Sequence, residues 1–324
     1  MRRPNLILGV LSLRLKTIID VAAYFLVRVL ICLVQTLSLR ACESHSNRLG
    51  WFCWHVLRFR RTTVEENLLI AFPEKTAAER ECIAIGMWQH LFLMTMEIAH
   101  APRKVHRTNW RHHTSVAQMT NVLAKLIDER PTVLISGHLG NFEIGGFLLA
   151  LHGFETHTIA RPLDNPYLDK FVNQFRSSSG QYMLPKQGSS HAIATLLDQG
   201  GTLVLLGDQY AGHRACWVDF FGRPASTHKA VAVFTLSGQA PTAVCAALRT
   251  APLQIEMHLA DFVDPQDENF PWGTIPLMTN WYTQCLEELI RRAPEQYWWV
   301  HRRWKGQPPK PRQSRSMPRP VAAA

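Results

Sequence analysis

The chain has 324 residues, 47% of them hydrophobic and 10% aromatic, and a formal charge of +10 at pH 7. That length and apolar content support a full hydrophobic core and exclude a chain that is disordered throughout. The charge sits at the ends: residues 1–61 and 291–324 each carry net +8, while residues 62–290 carry net −6. A nucleic-acid reader puts its basic stripe on the folded domain, whereas basic ends around a near-neutral body suit an anionic membrane surface.

Residues 1–45 read as an N-terminal membrane anchor. The stretch 17–39 is the most hydrophobic of the chain and about as long as the ~20 residues a bilayer span needs. Asp20 and Arg28 interrupt it, so it either spans while packed against something, lies in the interface, or is a buried core helix. No small-x-small site follows, which argues against a cleaved signal. Residues 46–130 read as helical. Thr76-Ala77-Ala78-Glu79 is a capping box that opens a long helix towards His100, bracketed by Pro73 and Pro102. From 131 to 306 the pattern becomes an α/β domain with a mixed central sheet and helices on its faces. Strands are expected at 132–135, 157–160, 182–184, 202–206, 242–247 and 253–259, and helices at 142–151, 166–177, 190–199, 229–236 and 277–292. Residues 307–324, proline-rich among arginines, read as a disordered basic tail. The seven cysteines are scattered, without C-x-x-C or metal-ligand spacing, and read as buried free thiols in a reducing compartment.

The stretch Ile135-Ser136-Gly137-His138-Leu139-Gly140-Asn141-Phe142-Glu143 organises the rest. It reads as strand, tight turn and helix, with Asn141 as N-cap. On one regular helix, positions five apart point about 140° from each other. His138 and Glu143 therefore meet only if the histidine sits in the loop and the glutamate in the first helical turn. Such a pair would give a general base and a carboxylate that fixes its tautomer. The plainer alternative is a loop histidine beside a helix-start glutamate. Arg161 and Asp208 also follow expected strands and could share a rim with His138, and Arg176 lies near the end of the helix after Asn165-Pro166. Each also has an ordinary structural explanation. No G-x-S-x-G elbow is present, so a covalent acyl-enzyme is not indicated.

His138-Leu-Gly-Asn-Phe-Glu143, Arg161-Pro-Leu-Asp-Asn-Pro166, Gly207-Asp-Gln209, Phe220-Phe-Gly-Arg-Pro-Ala-Ser-Thr227 and the Pro294–Lys305 segment occur in that order. Together with Arg61–Glu74 they resemble the late acyltransferases of lipid A biosynthesis, in the lysophospholipid acyltransferase superfamily, up to about Gln307. The resemblance implies acyl transfer from acyl carrier protein or coenzyme A thioester to a hydroxyl of a membrane lipid, at the cytoplasmic side of the inner membrane. It implies His138 as base with Glu143 as partner, Arg176 and Arg161 on an anionic substrate group, and Asp208 in the site. No metal, other cofactor or nucleic acid is implied. His228-Lys229 stand where relatives carry small residues, and Gln209-Tyr210-Ala211-Gly212 lacks a second acid often found there. Acylation of another glycolipid, a glycerolipid or an amino-acid lipid is the alternative. The proline-glutamate-glycine block of the glycerolipid branch does not follow His138. A non-catalytic membrane-surface protein would share the basic ends but have no use for His138 facing Glu143.

Overall fold

In a computed structural model of the protein, residues 4–116, 119–185 and 188–309 are described; most of the proline-rich tail lies outside them. The chain opens with helices α1 (Pro4–Thr36) and α2 (Leu39–Phe52), the latter capped by Ser38, whose Oγ accepts the Ala41 N–H at 3.1 Å. A π-helical turn at Cys53–Leu57 leads to α3 (Arg61–Ala71) and α4 (Ala77–Lys104). The Thr76/Glu79 capping box is present. Pro102 does not end α4, which runs through it to Lys104. In the last turn a proline forfeits only one terminal hydrogen bond, so the helix tolerates it.

A seven-stranded sheet follows, ordered β1 (Thr114–Ser115), β9 (Gln254–Val263), β8 (Thr242–Ala251), β2 (Thr132–Ser136), β5 (Thr202–Leu206), β3 (Thr156–Ala160), β4 (Gln181–Pro185). Every pairing is parallel except β8 with β9. The expected strands are all there. Three strands were not foreseen: the edge strand β1, which arises inside the region expected to be helical, and the hairpin of β6 (Cys216–Phe220) with β7 (Arg223–Thr227). The hairpin turns on Phe221 and Gly222, both with positive φ, the geometry that suits a two-residue connection. Leu253 belongs to the β8–β9 turn rather than to a strand, since its φ is +56°.

Alternation along the central strands builds two cores. Val133, Ile135, Leu203, Leu205 and Val244 face the side covered by α8 (Ser189–Asp198), α9 (Ala230–Ser237) and α10 (Ile275–Arg292). Leu134, Ala243, Cys245 and Ala247 face the side covered by α6 (Phe142–Leu151), with Ile144, Phe147 and Leu148. Cys42, Cys53, Cys245 and Cys285 are buried free thiols as expected, but Cys32 and Cys82 are exposed.

α1 is not a buried core helix: none of Leu15–Thr36 is buried. One face nevertheless meets the domain. Asn165 Nδ2 donates to the Asp20 carbonyl at 2.8 Å, Tyr24 packs on Tyr167 and Phe171 of α7 (Pro166–Ser177), and Gln35 Nε2 donates to the Ala99 carbonyl of α4 at 2.6 Å. Arg28 lies over the Phe171 ring at 4.9 Å and donates to the Tyr24 hydroxyl. These contacts account for the polar residues within an apolar helix. Leu15, Ile18, Ile19, Phe25, Leu26, Val29, Leu30 and Leu33 are exposed, and at 100° per residue they fill an arc of about 140° on the opposite face.

Candidate active site

β2 and β5 are adjacent parallel strands, with Ser136 opposite Leu206 in register. Both run straight into a glycine and then an ionisable side chain: Gly137-His138 on one, Gly207-Asp208 on the other. Strand spacing of about 4.8 Å thus sets His138 beside Asp208, although 70 residues separate them. His138 Nδ1 lies 2.9 Å from Asp208 Oδ1. Asp208 is 3% exposed and also accepts from the Tyr297 hydroxyl, whose pKa burial and the Asp208 charge push well above the tyrosine range.

Burial of His138 disfavours its charged form, but the Asp208 charge, the hydrogen bond to it and the Glu143 charge together raise its pKa above the usual histidine value. Burial pushes Asp208 the other way, yet His138 and nearby backbone donors hold its carboxyl below the usual range. With Nδ1–H donating to a carboxylate, Nε2 is the basic nitrogen. Gln209 Nε2 sits 3.2 Å from it. The imidazole is walled by Phe142 and Trp298, ring centroids at 5.2 and 5.1 Å, and the His138 carbonyl accepts the Trp298 N–H at 3.0 Å.

Glu143 does not carry the orienting hydrogen bond to His138 expected of it. It sits in the first turn of α6 but is paired with Arg176, through Nε at 3.0 Å and a second bond from Nη2. The guanidinium fork satisfies both carboxylate oxygens, so Glu143 acts on His138 through charge alone. Arg161 does not join the rim. It pairs with Asp164 at 2.7 Å in an exposed turn, both side chains open to solvent. Arg176 and Glu143, each 19% exposed, instead line a 120 Å³ cavity together with Val204 and the more deeply buried Leu134, Leu149, Cys245 and Met257. Gly145 and Gly146 line it too: a Cβ on Gly145 would come within 2.8 Å of the Ala247 Cβ, and one on Gly146 within 2.5 Å of Gln181 Nε2.

The turn between His138 and α6 is held from beneath. Gly140 has φ +62°, and a Cβ there would collide with the Ala247 carbonyl. Asn141 caps α6 through Oδ1 to the Ile144 N–H at 3.1 Å while its Nδ2 donates to Glu97 at 2.8 Å. Glu97 is fully buried and takes two bonds from Arg249, at 2.8 and 2.7 Å. Arg249 also reaches His90 Nδ1 at 2.6 Å, and His90 Nε2 lies 3.1 Å from the Gly140 carbonyl. Burial and the Arg249 charge push His90 down to about 3, so its ring is neutral. A second buried cation, Arg303, donates to the Ser226 carbonyl and to Thr227 Oγ1 and lies over the Phe220 ring; burial lowers its pKa from the usual arginine value, against the opposing pull of the Asp208 charge. Sequence reading gave none of Tyr297, Arg303, Arg249, Glu97 or His90 a role in the site. Tyr297 and Arg303 do lie in the Pro294–Lys305 segment that carries part of the resemblance.

The family profile described as bacterial lipid A biosynthesis acyltransferase matches residues 13–306. Curated relatives include the lipid A biosynthesis palmitoleoyltransferase of Escherichia coli strain K12, 24% identical over 271 residues that cover 81% of this chain and 84% of that protein. The lauroyltransferase of the same organism is 23% identical over 80% of this chain and 84% of that protein, and its myristoyltransferase 25% identical over 78% and 77%. Among solved structures, the 1-acyl-sn-glycerophosphate acyltransferase PlsC from Thermotoga maritima matches with a TM-score of 0.39 at 10% identity, covering 81% of this chain and 99% of that one.

Proposed function

The chain belongs to the bacterial lipid A biosynthesis acyltransferase family and is an acyltransferase, and on that premise we propose that it moves a fatty acyl group from an acyl thioester, carried by acyl carrier protein or coenzyme A, to a hydroxyl of a lipid A precursor, with His138 as general base. The observation that carries this reading is the His138–Asp208 pair beside an apolar cavity. His138 Nε2 removes the acceptor hydroxyl proton as the oxygen attacks the thioester carbonyl. Asp208 holds Nδ1 protonated and stabilises the imidazolium that forms. Collapse of the tetrahedral intermediate breaks the carbon–sulfur bond, and the imidazolium returns its proton to the leaving thiolate. Gln209 yields its place at Nε2 to the acceptor hydroxyl. The Arg176–Glu143 pair marks the cavity entrance, where the guanidinium meets an anionic group of a substrate and the apolar interior takes the acyl chain. Phe142, which lines the cavity and touches the His138 ring, joins the two parts.

The same reading sets the enzyme on the inner membrane with its catalytic domain in the cytoplasm. α1 then lies in the interface rather than across the bilayer. A spanning helix would offer apolar surface all round, whereas here α4 and α7 cover one side and leave a single apolar stripe for lipid.

The test is incubation of the purified full-length protein with an acyl thioester and a lipid A precursor, followed by mass spectrometry of the lipid. An ester-linked acyl group on the precursor, lost in His138→Ala, is the expected result. Acylation of a glycerolipid alone, or full activity of His138→Ala, would overturn it.

A further inference from the structure

We infer that the turn joining α2 to α3 is a second membrane-docking surface, in which Trp51, Phe52, Val56, Leu57 and Phe59 enter the lipid interface and Arg58, Arg60 and Arg302 bind the phosphates of anionic headgroups. The surface goes beyond the proposed reaction and does not depend on it.

Within nine residues the chain exposes five large apolar side chains: Trp51 at 54%, Phe52 at 44%, Val56 at 54%, Leu57 at 60% and Phe59 at 56%. The inward face of the same segment is conventional, with Gly50, Cys53 and Trp54 buried against α4 and the core. An apolar set this dense on the surface of a protein marks a contact site. Its chemistry is given by what adjoins it. Arg58, Arg60, Arg61 and Arg302, with Thr62 and Thr63, line an open depression of 560 Å³. Arg61 is paired with Glu65 and Glu81, but Arg58, Arg60 and Arg302 have no carboxylate partner among the described residues. Arg58 and Arg60 both adopt left-handed backbone, φ +50° and +52°, a conformation unfavourable for residues bearing a Cβ. Local stability alone gives no reason to gather like charges on a strained turn. An anion that neutralises them does.

Aromatic and aliphatic side chains interleaved with arginine favour a bilayer over an acidic protein. Only the bilayer offers hydrocarbon beneath a layer of phosphate, and arginine's fork and tryptophan's amphipathic ring both suit that boundary. The surface is also tied to the catalytic rim. Arg60 Nη1 donates to the Val300 carbonyl at 3.4 Å, and the Trp298–Arg302 strap that supplies Arg302 begins on the His138 carbonyl. Four residues of extended chain reach at most about 14 Å, so docking here brings the membrane surface within one strap of the base.

α1 contains no tryptophan, and Trp51 is the most exposed of the ten in the chain, so lipid contact at this patch can be read separately from the anchor. Full-length protein is placed on vesicles of phosphatidylglycerol or phosphatidylcholine whose acyl chains are brominated, and quenching of tryptophan emission is measured for wild type, Trp51→Phe, Arg58→Ser/Arg60→Ser/Arg302→Ser and the corresponding triple lysine variant. Circular dichroism checks the fold of each. Wild type should be quenched more in phosphatidylglycerol, and Trp51→Phe should lose that excess. A basic residue at an anionic surface is worth about fivefold in docking, so the triple serine variant should fall to the phosphatidylcholine level while the lysine variant retains most of the excess. Equal quenching of wild type and Trp51→Phe would overturn the proposal, as would a triple serine variant that behaves as wild type. If Trp51 is unquenched and the serine variant instead loses affinity for acidic acyl carrier protein in detergent, the surface docks a protein and the bilayer assignment falls. None of these readouts uses turnover, so their failure leaves the proposed reaction untouched, and the reverse holds.

Discussion

Replacing Asp208, itself only 3% exposed, with asparagine keeps the side chain's shape and removes its charge. The His138 Nδ1 bond at 2.9 Å then loses its ionic character. A hydrogen bond to a charged group contributes about 1.5–3 kcal/mol, which is roughly 10- to 150-fold in rate. A second effect compounds this. An asparagine NH2 turned towards Nδ1 forces the ring proton onto Nε2, the nitrogen that must accept the hydroxyl proton, so the loss should move towards the ~10²–10⁴-fold of deleting the base itself. The assay is initial rates of acyl transfer for wild type, His138→Ala, Asp208→Asn, Glu143→Gln and the two double variants that contain His138→Ala. If Asp208 works only through His138, His138→Ala/Asp208→Asn is no slower than His138→Ala. Glu143, held by Arg176, makes no hydrogen bond to His138 and reaches it only through its charge, so most of its loss should multiply with that of His138. Wild-type rates for Asp208→Asn would refute the assignment. So would the opposite pattern, with Glu143→Gln masked by His138→Ala and Asp208→Asn not, which would return the orienting role to Glu143.

The raised pKa of His138 sets a pH dependence. The base is active unprotonated, so kcat/KM should rise with pH through a midpoint above about 6.5, and Asp208→Asn should lower that midpoint. The same shift stabilises the fold fully below about pH 6.5, a contribution lost as pH rises through the folded-state value, which denaturant titrations at several pH values would detect. Arg176→Lys should reduce turnover and Arg176→Ala more so, because an ammonium cannot hold both Glu143 oxygens in a fork and still offer N–H groups to a substrate anion; equal rates in all three would remove Arg176 from the site. Cys245→Leu adds side-chain volume inside the cavity and should shift donor preference to shorter chains, by about fourfold in relative kcat/KM for each methylene no longer buried; unchanged chain preference would place the acyl chain elsewhere. Glu97→Ala leaves the Arg249 cation buried without its partner and should cost about 3–5 kcal/mol in a denaturant titration, with Glu97→Gln milder; a loss below 1 kcal/mol would show the network to be dispensable.

The sheet was legible because parallel strands buried on both faces read as short apolar runs between turn residues, and β2, β3, β5 and β8 fall where those runs lie. The β6–β7 hairpin was not, since its strands mix Asp219, Arg223 and Pro224 with aromatics and show no period. For the site, proximity in sequence favoured Glu143 as the partner of His138. The partner bonded in the structure is 70 residues away, and only the pairing of Ser136 with Leu206 brings it there. Register between strands is a tertiary property that no local pattern encodes. The same holds for Arg161 and Arg176, alike in sequence: one ends in a solvent-exposed turn with Asp164, the other in the fork that holds Glu143.

Two parts of the molecule fix His138 by different means. The strand register places its Cα beside Asp208, which demands nothing unusual of the residues between. The rotation of the loop that follows is set by the collision-free approach of Gly140 to Ala247 and by Asn141, whose single side chain both caps α6 and donates to buried Glu97. Glu97 belongs to α4 and Arg249 to the end of β8, so the helical region and the sheet meet in one ion pair directly under the turn that carries His138. A buried ion pair is a poor source of net stability compared with apolar packing. What it does supply is a defined geometry, since a carboxylate that satisfies Arg249, Asn141 and the Leu253 N–H at once permits little movement of any of them. Helix α4 therefore does more than lead from α1 to the sheet: through Glu97 it sets the angle at which His138 leaves β2.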